Sequence, residues 1–539
     1  MQLKYVLCLF SILVMPSAVA KTSTSETQDP AQVSIGERLF LETRFAQAWY
    51  AHPGQADPIL SVTATTGNPL RGAFAGKTMN CRACHMVDEF TQTATAGMRS
   101  YTDFARRSPI PQRGDGHSVS TRNAMSLVNI SIPRDNQTVF HYDGEFTSME
   151  DLVIGTLTAR NYGWLATEKA TAMQHIARVI REDDGKDELG REYGGSYRKL
   201  LSATAADIAP QFRLPAAYRV NVATASDREI VLGVAKLISA YVRDVVFSHD
   251  TQGRYNASPY DRFLMKNALP RNPAQGESAA SYTQRLANAI AQLSSPKFVD
   301  ANEGKFTSHS QAFVFGEQAW RGMQLFFRQG NATQHGGNCA ACHRPPHFSD
   351  FGFHNTGVSQ AEYDALHGQG AFQKLDIPDL AQRNTHYDQY LPATDRHPQA
   401  NGRFRDLDHK DQHAHTDLGL WNVFANPDMP GPQAKLHEIL CHQVTQTTKL
   451  QCDAANLLPY TLAAFKTPLL RDLGHSAPYL HGGNMTTLED TLAFYVATSD
   501  MARRGVLRNP DPELQHIQLG TEDIAALQAF LQALNEDYD

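Results

Sequence analysis

The chain has 539 residues, of which 42% are hydrophobic and 19% are charged, and its formal net charge at pH 7 is −7. This length is enough for about two to four domains with sizeable cores, and the composition excludes a disordered chain. No block of basic residues stands out, so the sequence does not predict a protein that binds nucleic acid.

The chain begins with an apolar run. One Lys precedes the apolar stretch 5–15, and the small residues Ala-Val-Ala follow at 18–20. This order is typical of a secretory signal peptide, residues 1–20, with cleavage before Lys21. The alternative is a retained membrane anchor. The stretch is too short for a transmembrane span and no later segment approaches one, so we expect an exported mature protein without such a span.

Two copies of one cysteine motif decide the class of protein. They are Cys81-Arg82-Ala83-Cys84-His85 and Cys339-Ala340-Ala341-Cys342-His343. Cys-x-x-Cys-His attaches c-type haem, because both thiols add to the porphyrin vinyl groups and the adjoining His ligates the iron. The alternatives are a zinc site, which needs four ligands in a closed set, and a redox dithiol, which needs no following His. Two copies predict two covalently bound haem c groups.

The segments around the two motifs repeat each other. Helices with a Leu-Phe pair, 35–40 and 320–326, precede the motifs, and the segments 142–152 and 481–491 follow them. In both following segments a Gly turn leads to a Ser or Thr N-cap and an acidic first helical turn. The repeat predicts a mainly α protein with two tandem cytochrome c-like haem domains and long loop insertions.

Amphipathic patterns predict further helices at 227–247, 278–293 and 521–534, and strand-like alternation is scarce. We divide the mature chain into an N-terminal haem domain, residues 21–300, and a C-terminal haem domain, residues 301–539. Three less regular segments are an insertion at 42–77, a linker at 248–310 and a long irregular excursion at 351–435.

Two cysteines stand outside the haem motifs of the mature chain. Cys8 leaves with the signal peptide, whereas Cys441 and Cys452 remain and lie close in sequence. An exported protein folds in an oxidising compartment, so we expect a local disulfide between them. The alternative is two unpaired thiols.

Several stretches beyond the cysteine motifs resemble motifs of the bacterial dihaem cytochrome c peroxidase superfamily, which includes MauG. The strongest are Phe465–Arg471 (FKTPLLR) and Ser476–Gly483 (SAPYLHGG). The others are 121–129, 142–144, 348–350 and 353–357. The resemblance covers most of the mature chain.

The resemblance implies different roles for the two haems. Peroxide reacts at the haem held by His85, and the haem held by His343 stores or delivers an electron. The second axial ligand of the latter lies fourteen residues after His481, at Tyr495, where the peroxidases have Met and MauG-like members have Tyr. An anionic phenolate favours ferric and higher states, so it lowers the potential relative to a thioether. Alternatively, Tyr495 packs on the apolar face of its own helix.

The resemblance also implies a calcium ion between the two haem domains. The matching ligands are the side chain of Asn123 and the backbone carbonyls of Ser476 and Pro478. Oxygen ligands of this kind suit calcium. Ser stands at 476 in place of the usual Thr, but a carbonyl ligand does not depend on that side chain. Alternatively, Asn123 belongs to a turn or a helix entry.

The chain departs from the family pattern near the first haem. Tyr142 stands where the family has Trp between the haems, and it either mediates electron transfer or acts as a wedge between domains. The family's distal acid–base positions, ten and twenty residues later, fall on Leu152 and Tyr162, and neither serves as the group that peroxide heterolysis needs. The replacements that the sequence offers are His117, Glu145 and His141. Each is alternatively a solvated loop residue, and His117 also lies near the family's removable sixth iron ligand.

One further histidine cluster, His409, His413 and His415, lies within the irregular excursion. Its spacing is loose for a metal site and no Cys joins it, so we interpret it as a solvated loop.

The resemblance therefore implies a periplasmic dihaem peroxidase-type oxidoreductase that reacts with hydrogen peroxide. Its electron donor is a small cytochrome or cupredoxin if it detoxifies peroxide, or a Tyr or Trp of a protein substrate if it acts as MauG does. Many family members are homodimers. The alternative from another class is a non-catalytic electron carrier or redox sensor, and a dioxygenase that acts on a polymer is a weaker third.

Overall fold

The computed structural model describes residues 29–51, 80–81, 84–85, 89–90, 98–99, 107, 110–132, 138–202, 208–307, 309–445 and 449–537. The predicted signal peptide lies outside the described residues, as does most of the insertion predicted at 42–77. Within the described ranges, no helix has the length and apolar character that a membrane span requires.

The described residues are mainly helical, as the sequence predicts. The helices of the first half are α1 (Ala31–Phe40), α2 (Gln47–Ala51), α3 (Met149–Leu157), α4 (Lys169–Glu182), α5 (Glu188–Glu192), α6 (Tyr197–Ser202) and α7 (Asp227–Asp244). Those of the second half are α8 (Pro259–Lys266), α9 (Ala279–Gln292), α10 (Glu317–Phe327), α11 (Val358–His367), α12 (Leu380–Thr385), α13 (Tyr387–Tyr390), α14 (Gln433–Thr445), α15 (Ala454–Leu457), α16 (Leu488–Arg503) and α17 (Thr521–Gln532).

The strands of the described residues are two residues long and pair antiparallel. The first pair is β1 (Glu89–Phe90) with β2 (Met98–Arg99). The second is β3 (Phe353–His354) with β4 (Phe465–Lys466), where His354 lies opposite Phe465. This second pairing brings two of the family-like motifs together.

Side-chain caps start the repeated helices where the sequence predicts them. Ser148 accepts a hydrogen bond from the backbone N–H of Asp151 at the start of α3, and Thr487 accepts one from Asp490 at the start of α16. Each cap satisfies a backbone donor that the first helical turn leaves without a partner. The acidic residues that follow each cap also complement the positive end of the helix dipole.

The two halves of the chain repeat one helix crossing. In the first half α1 packs on α7, and a Cβ at Gly36 would overlap the carbonyl of Leu237. In the second half α10 packs on α17, and a Cβ at Gly322 would overlap the carbonyl of Ala526. Glycine therefore permits the same close backbone approach in each unit, which confirms the predicted tandem repeat.

We expect Gly322→Ala to destabilise the protein by about 1–3 kcal/mol, because the added methyl group must push α10 away from α17. The matched control is Gly316→Ala at the N-cap of the same helix, where an added Cβ meets no atom within 4 Å. Thermal unfolding of the two variants checks the difference. Equal melting temperatures would contradict this account of the crossing.

The predicted linker at 248–310 is part of the second core. Helices α8 and α9 bury Phe263, Leu264, Tyr282 and Leu286 in a cluster with residues of α10 and α17. The amphipathic pattern at 278–293 did predict α9, but the short helix α8 was missed and the Ser, Asn and Pro of this region suggested a linker instead. The domain division at 301 stays a prediction, and this packing favours a boundary before α8.

The predicted irregular excursion at 351–435 is also wrong in part, since it contains α11, α12, α13 and the start of α14. Together with residues up to 464 it builds a third hydrophobic core around Trp421, Phe404 and Leu418. These helices are too short for a periodic pattern to reveal them. We call residues 357–464 the third lobe.

The disulfide between Cys441 and Cys452 is confirmed. It joins the last turns of α14 to the segment before α15 within the third lobe. The four cysteines of the two motifs are free thiols.

Candidate functional site

The second cysteine motif presents an oriented imidazole beside two free thiols. Cys339 opens a single helical turn, and the backbone N–H of His343 donates to the carbonyl of Cys339 at 2.8 Å. The Nδ1–H of His343 donates to the carbonyl of Phe348 at 3.0 Å. This bond fixes the tautomer and leaves Nε2 as the nitrogen that can ligate a metal.

A cavity of about 270 Å³ lies against this motif. Cys339, Cys342 and His343 line it, and Tyr495 of α16 lines it too. Its apolar lining includes Phe326, Leu488, Leu492, Leu527 and Leu531. Two free thiols, an oriented imidazole and apolar walls are the groups that a covalently bound haem requires, so these residues fit that cofactor.

Tyr495 lies close to the attachment thiols. Burial raises the pKa of its phenol, and the neighbouring Cys342 and Cys339 raise it further. The side chain also packs beside Leu507, Leu514 and Ile517. The predicted phenol ligand is therefore in the same cavity as His343, and an iron there would supply the positive charge that a phenolate needs.

One edge of this cavity is polar. The Nδ1 of His354 lies 2.6 Å from a carboxylate oxygen of Asp511, and its Nε2 lies 3.1 Å from Asp350. Burial opposes protonation of His354, but Cys342, Asp350 and Asp511 outweigh it and raise the pKa well above its ordinary value. The Nδ1 of His354, which lies between the two carboxylates, is also 3.7 Å from the sulfur of Cys342.

The first cysteine motif is described at Cys81, Cys84 and His85 only. The sulfur of Cys81 lies 3.3 Å from the hydroxyl of Tyr162. Burial lowers the pKa of His85 to about 4, so its imidazole is neutral at pH 7 and available as a metal ligand. Free thiols and a neutral imidazole fit a second haem.

The predicted calcium ligands converge across the two halves of the chain. Asn123 is 7% exposed, and its Nδ2 donates to the carbonyl of Pro478 at 2.6 Å. In the described part of the chain, its Oδ1 is buried without a hydrogen-bond partner. If the amide of Asn123 were flipped, its Oδ1 would face the carbonyl oxygen of Pro478, and a cation bound by both oxygens would stabilise this arrangement. Ser476 lines the same cavity, so the three residues fit a calcium ion.

Tyr142 lies between the two halves. Its backbone carbonyl accepts from the N–H of Lys466, and its ring meets His481 edge to face at 6.5 Å. His481 in turn stacks on Phe465 with 3.5 Å between ring centres. Burial raises the pKa of Tyr142 to about 12. The residue lines the same cavity as Tyr495, so both of its predicted roles, relay and wedge, agree with its position.

Glu145 lies in a network of ion pairs. Its carboxylate accepts from Arg405 of the third lobe and lies 3.3 Å from Nδ1 of His141. Burial would raise the pKa of Glu145, but Arg405 and His141 hold it well below its ordinary value. His141 is close enough to His85 to depress the pKa of that imidazole. Glu145 and His141 are thus a pair near the first motif, and Glu145 stays ionised.

His117 lies in a different cluster. It is half-buried, and its Nδ1 is 3.5 Å from a carboxylate oxygen of Asp406 in the third lobe. His415 lies 2.9 Å and His409 3.8 Å from the other oxygen of Asp406. His413 packs instead on His367, with 4.5 Å between ring centres. The loop histidines His409, His413 and His415 therefore do not come together as one metal site.

The third lobe supplies charged partners that the sequence did not single out. Arg122 binds Asp417 at 2.5 Å and 2.9 Å and Asp143 at 2.6 Å, and Arg405 binds Asp143 at 3.1 Å. Two of these pairs, Arg122–Asp417 and Arg405–Asp143, join the first half to the lobe, the former across 295 residues of chain, whereas Arg122–Asp143 lies within the first half. Neither a motif nor a spacing marks such pairs, so only the fold reveals them.

Comparison with known proteins gives one curated relative and several solved structures. No protein-family model matches the chain. The relative is the cytochrome-c peroxidase IdrP1 of Denitromonas iodatirespirans, 25% identical over 218 residues. The match spans 40% of this chain and 40% of the relative.

The similar structures include a dihaem peroxidase and a MauG-like protein. The dihaem peroxidase BthA of Burkholderia thailandensis is 17% identical with a TM-score of 0.44, over 96% of this chain and 89% of that one. A single-residue variant of BthA is 18% identical, with a TM-score of 0.44, over 96% of this chain and 89% of that one. A MauG-like protein associated with microbial copper homeostasis is 16% identical, with a TM-score of 0.42, over 97% of this chain and 95% of that one. The curated similarity agrees with the resemblance to cytochrome c peroxidases that the motifs indicate.

Proposed function

We propose that this protein is a periplasmic dihaem c-type peroxidase-like oxidoreductase. It reacts with hydrogen peroxide at the haem of His85 and exchanges electrons through the haem of His343 and Tyr495. The observation that carries the proposal is the apolar cavity that gathers the two thiols of the second motif, His343 and Tyr495. The cytochrome-c peroxidase relative supports the same reaction class.

The chain's own residues hold and orient both cofactors. When bound, haem iron supplies the one-electron redox chemistry by which peroxide is reduced. His343 is held by Phe348, and His85 is kept neutral by burial, so both imidazoles are ready to ligate iron. Tyr495 would be the second ligand of the His343 haem and would lower its potential.

His117, Glu145 and His141 are the candidate acid–base groups for the first haem. The packing favours Glu145 with His141, because His141 acts electrostatically on His85 and Glu145 is bound to His141. Because Glu145 stays ionised, it would orient His141 by hydrogen bonding, and His141 would be the member of the pair that takes the proton from peroxide. His117, which pairs with Asp406, would instead be a removable ligand of the iron or a more distant proton carrier.

Tyr142 would carry electrons between the two haem sites. Its position beside His481 and Lys466, in the cavity wall, supports this role. The raised pKa means that the phenol keeps its proton at rest and must release it on oxidation.

The domains, location and partners follow as further proposals. An N-terminal peroxidatic and a C-terminal electron-transfer domain match the two cores, and export by the 1–20 signal peptide would place the protein in the periplasm. The donor would be a small cytochrome or cupredoxin, or a Tyr or Trp of a protein substrate. The resemblance also allows a homodimer, although the large insertions of this chain could change the assembly.

A calcium ion at Asn123, Ser476 and Pro478 would tie the two haem domains together. We expect chelation with EGTA to lower the melting temperature of the holoprotein, because an ion that binds only the folded state stabilises it by about 2.7 kcal/mol at 100 times its Kd. Adding Ca²⁺ should restore the value, whereas Mg²⁺ should not. In Asn123→Ala the chelator should have no effect, and an EGTA response as large as in the unmutated protein would contradict this site.

Haem counting and turnover test the proposed function. The purified exported protein should contain two haem c groups by the pyridine haemochrome assay, and a Cys339→Ala, Cys342→Ala double variant should contain one. The two-haem protein should oxidise a reduced small cytochrome when peroxide is added. Two haems without any peroxide-dependent turnover of any donor would instead favour the electron carrier or sensor.

A further inference from the structure

A buried tyrosine–histidine pair lies between the two halves of the chain, outside the sites described above. Tyr255 is 3% exposed, and its hydroxyl lies 2.6 Å from Nδ1 of His347. The two rings meet edge to face, with 5.6 Å between their centres. The pair joins the end of the first core to the loop that follows the second cysteine motif.

A second hydrogen bond sets the direction of the phenolic proton. The Nδ2 of Asn129 donates to the Tyr255 oxygen at 3.0 Å. The other amide atom, Oδ1, accepts from the backbone N–H of Phe247 at 3.0 Å, so the amide is fixed in this orientation. Because the phenol oxygen already accepts from Asn129, its own proton is directed at His347.

A cation lies on the face of the same ring. The guanidinium of Arg471 stands 3.7 Å from the centre of the Tyr255 ring. Asp261, at 3.0 Å and 2.9 Å, and Glu536, at 2.8 Å, hold it there. Positive charge on the ring would be repelled by this neighbour. Loss of an electron from Tyr255 therefore requires loss of its proton, and half-buried His347 is the base within hydrogen-bond reach.

The pair is also close to the predicted haem. Arg471 and Phe247 both line the cavity of Cys339, Cys342 and Tyr495. His347 precedes Phe348, whose carbonyl holds His343 in place. One side chain thus separates Tyr255 from the cavity.

We propose that Tyr255 is a proton-coupled redox residue that gives one electron during peroxide reduction, with His347 as its proton acceptor. This inference rests on the proposed function. The O–H bond of Tyr255 breaks, its proton passes to Nδ1 of His347 and its electron is one of the two that convert H₂O₂ and two protons into two water molecules. The other electron is drawn from the haem cofactors. The reductant later returns an electron to Tyr255, and the proton comes back from His347.

A second buried tyrosine supplies the matched control. Tyr282 is fully buried in the neighbouring core, but its hydroxyl donates to the backbone carbonyl of Pro270 at 3.2 Å. A carbonyl does not take up a proton at neutral pH, so Tyr282 lacks the base that Tyr255 has.

Freeze-quench electron paramagnetic resonance of the peroxide-treated holoprotein, labelled with ring-deuterated tyrosine, tests the proposal. We expect a tyrosyl signal, narrowed by the deuterium, that Tyr255→Phe abolishes and Tyr282→Phe leaves unchanged. His347→Gln keeps a polar side chain without a base, and we expect it to slow formation of the signal about 100-fold. Haem absorption, recorded on each sample, shows that every variant holds its cofactors and reacts with peroxide.

The outcomes separate this inference from the proposed function. A tyrosyl signal that survives Tyr255→Phe, or none in a protein whose haem absorption does respond to peroxide, would overturn the role of Tyr255 alone. If Tyr255→Phe fails to fold, normal kinetics in His347→Gln would overturn it. Haem absorption that ignores peroxide would overturn the proposed function and this inference together.

Discussion

Replacing Tyr495 by Met is expected to raise the midpoint potential of the second haem by on the order of 0.1 V or more, within the span of about 0.8 V that axial ligands cover. A neutral thioether stabilises ferrous iron, whereas an anionic phenolate stabilises ferric iron. Spectroelectrochemical titration of the holoprotein measures the change. The variant should also need prior reduction of one haem before it reacts with peroxide.

Tyr479→Phe is the control for this substitution. Tyr479 lines the same cavity, but its hydroxyl is bound to the carbonyl of Leu473 at 2.9 Å. Removal of this hydroxyl should leave the midpoint potential of the second haem equal, within experimental error, to that of the unmutated protein. Equal potentials in Tyr495→Met and the unmutated protein would mean that Tyr495 only packs on its helix face and is not a ligand.

Asp417→Ala is expected to destabilise the protein by about 3–5 kcal/mol, because it removes one partner of a buried ion pair and leaves the other charge uncompensated. Asp417 holds Arg122 through two hydrogen bonds, and its side chain is 5% exposed. Without it, the ion-pair partner that Arg122 keeps among the described residues is Asp143, which it shares with Arg405. Because these residues join the third lobe to the first half, the lobe should also detach earlier on heating, and limited proteolysis should cut it first.

Asp395→Ala provides a matched comparison. Asp395 also joins the third lobe to the first half, through Lys169 at 3.0 Å, but the two side chains are 62% and 47% exposed. An exposed pair contributes about 0–1 kcal/mol, so this variant should unfold almost as the unmutated protein does. Chemical denaturation checks both variants, and a loss for Asp417→Ala no larger than for Asp395→Ala would contradict the role of the buried network.

Local signals in the sequence predicted the parts of the structure that depend on neighbouring residues. The two haem motifs, the caps at Ser148 and Thr487 and the disulfide of Cys441 are set by short spacings, and their chemistry is the same in any fold. Gly36 and Gly322 occupy the same place in the two repeats, but the close helix crossings that they permit were found only in the structure.

The remaining parts depend on residues far apart in the chain. The third lobe has short helices separated by Gly, Pro and His, so no period reveals them, yet its Arg405, Asp406 and Asp417 face the first half. The pairing of Tyr255 with His347 joins residues 92 positions apart. Contacts of this kind depend on how the cores pack, and local patterns in a single sequence do not predict them.

Stopped-flow absorption of the fully ferric holoprotein mixed with hydrogen peroxide, without any reductant, tests the central claim most directly. A rapid and long-lived change of the haem spectrum is expected if, as proposed, peroxide reacts at the haem of His85 while the haem of His343 and Tyr495 helps to hold the oxidising equivalents. A spectrum that stays unchanged, both in the ferric protein and after reduction of one haem, would contradict the peroxidase assignment and identify the protein as an electron carrier.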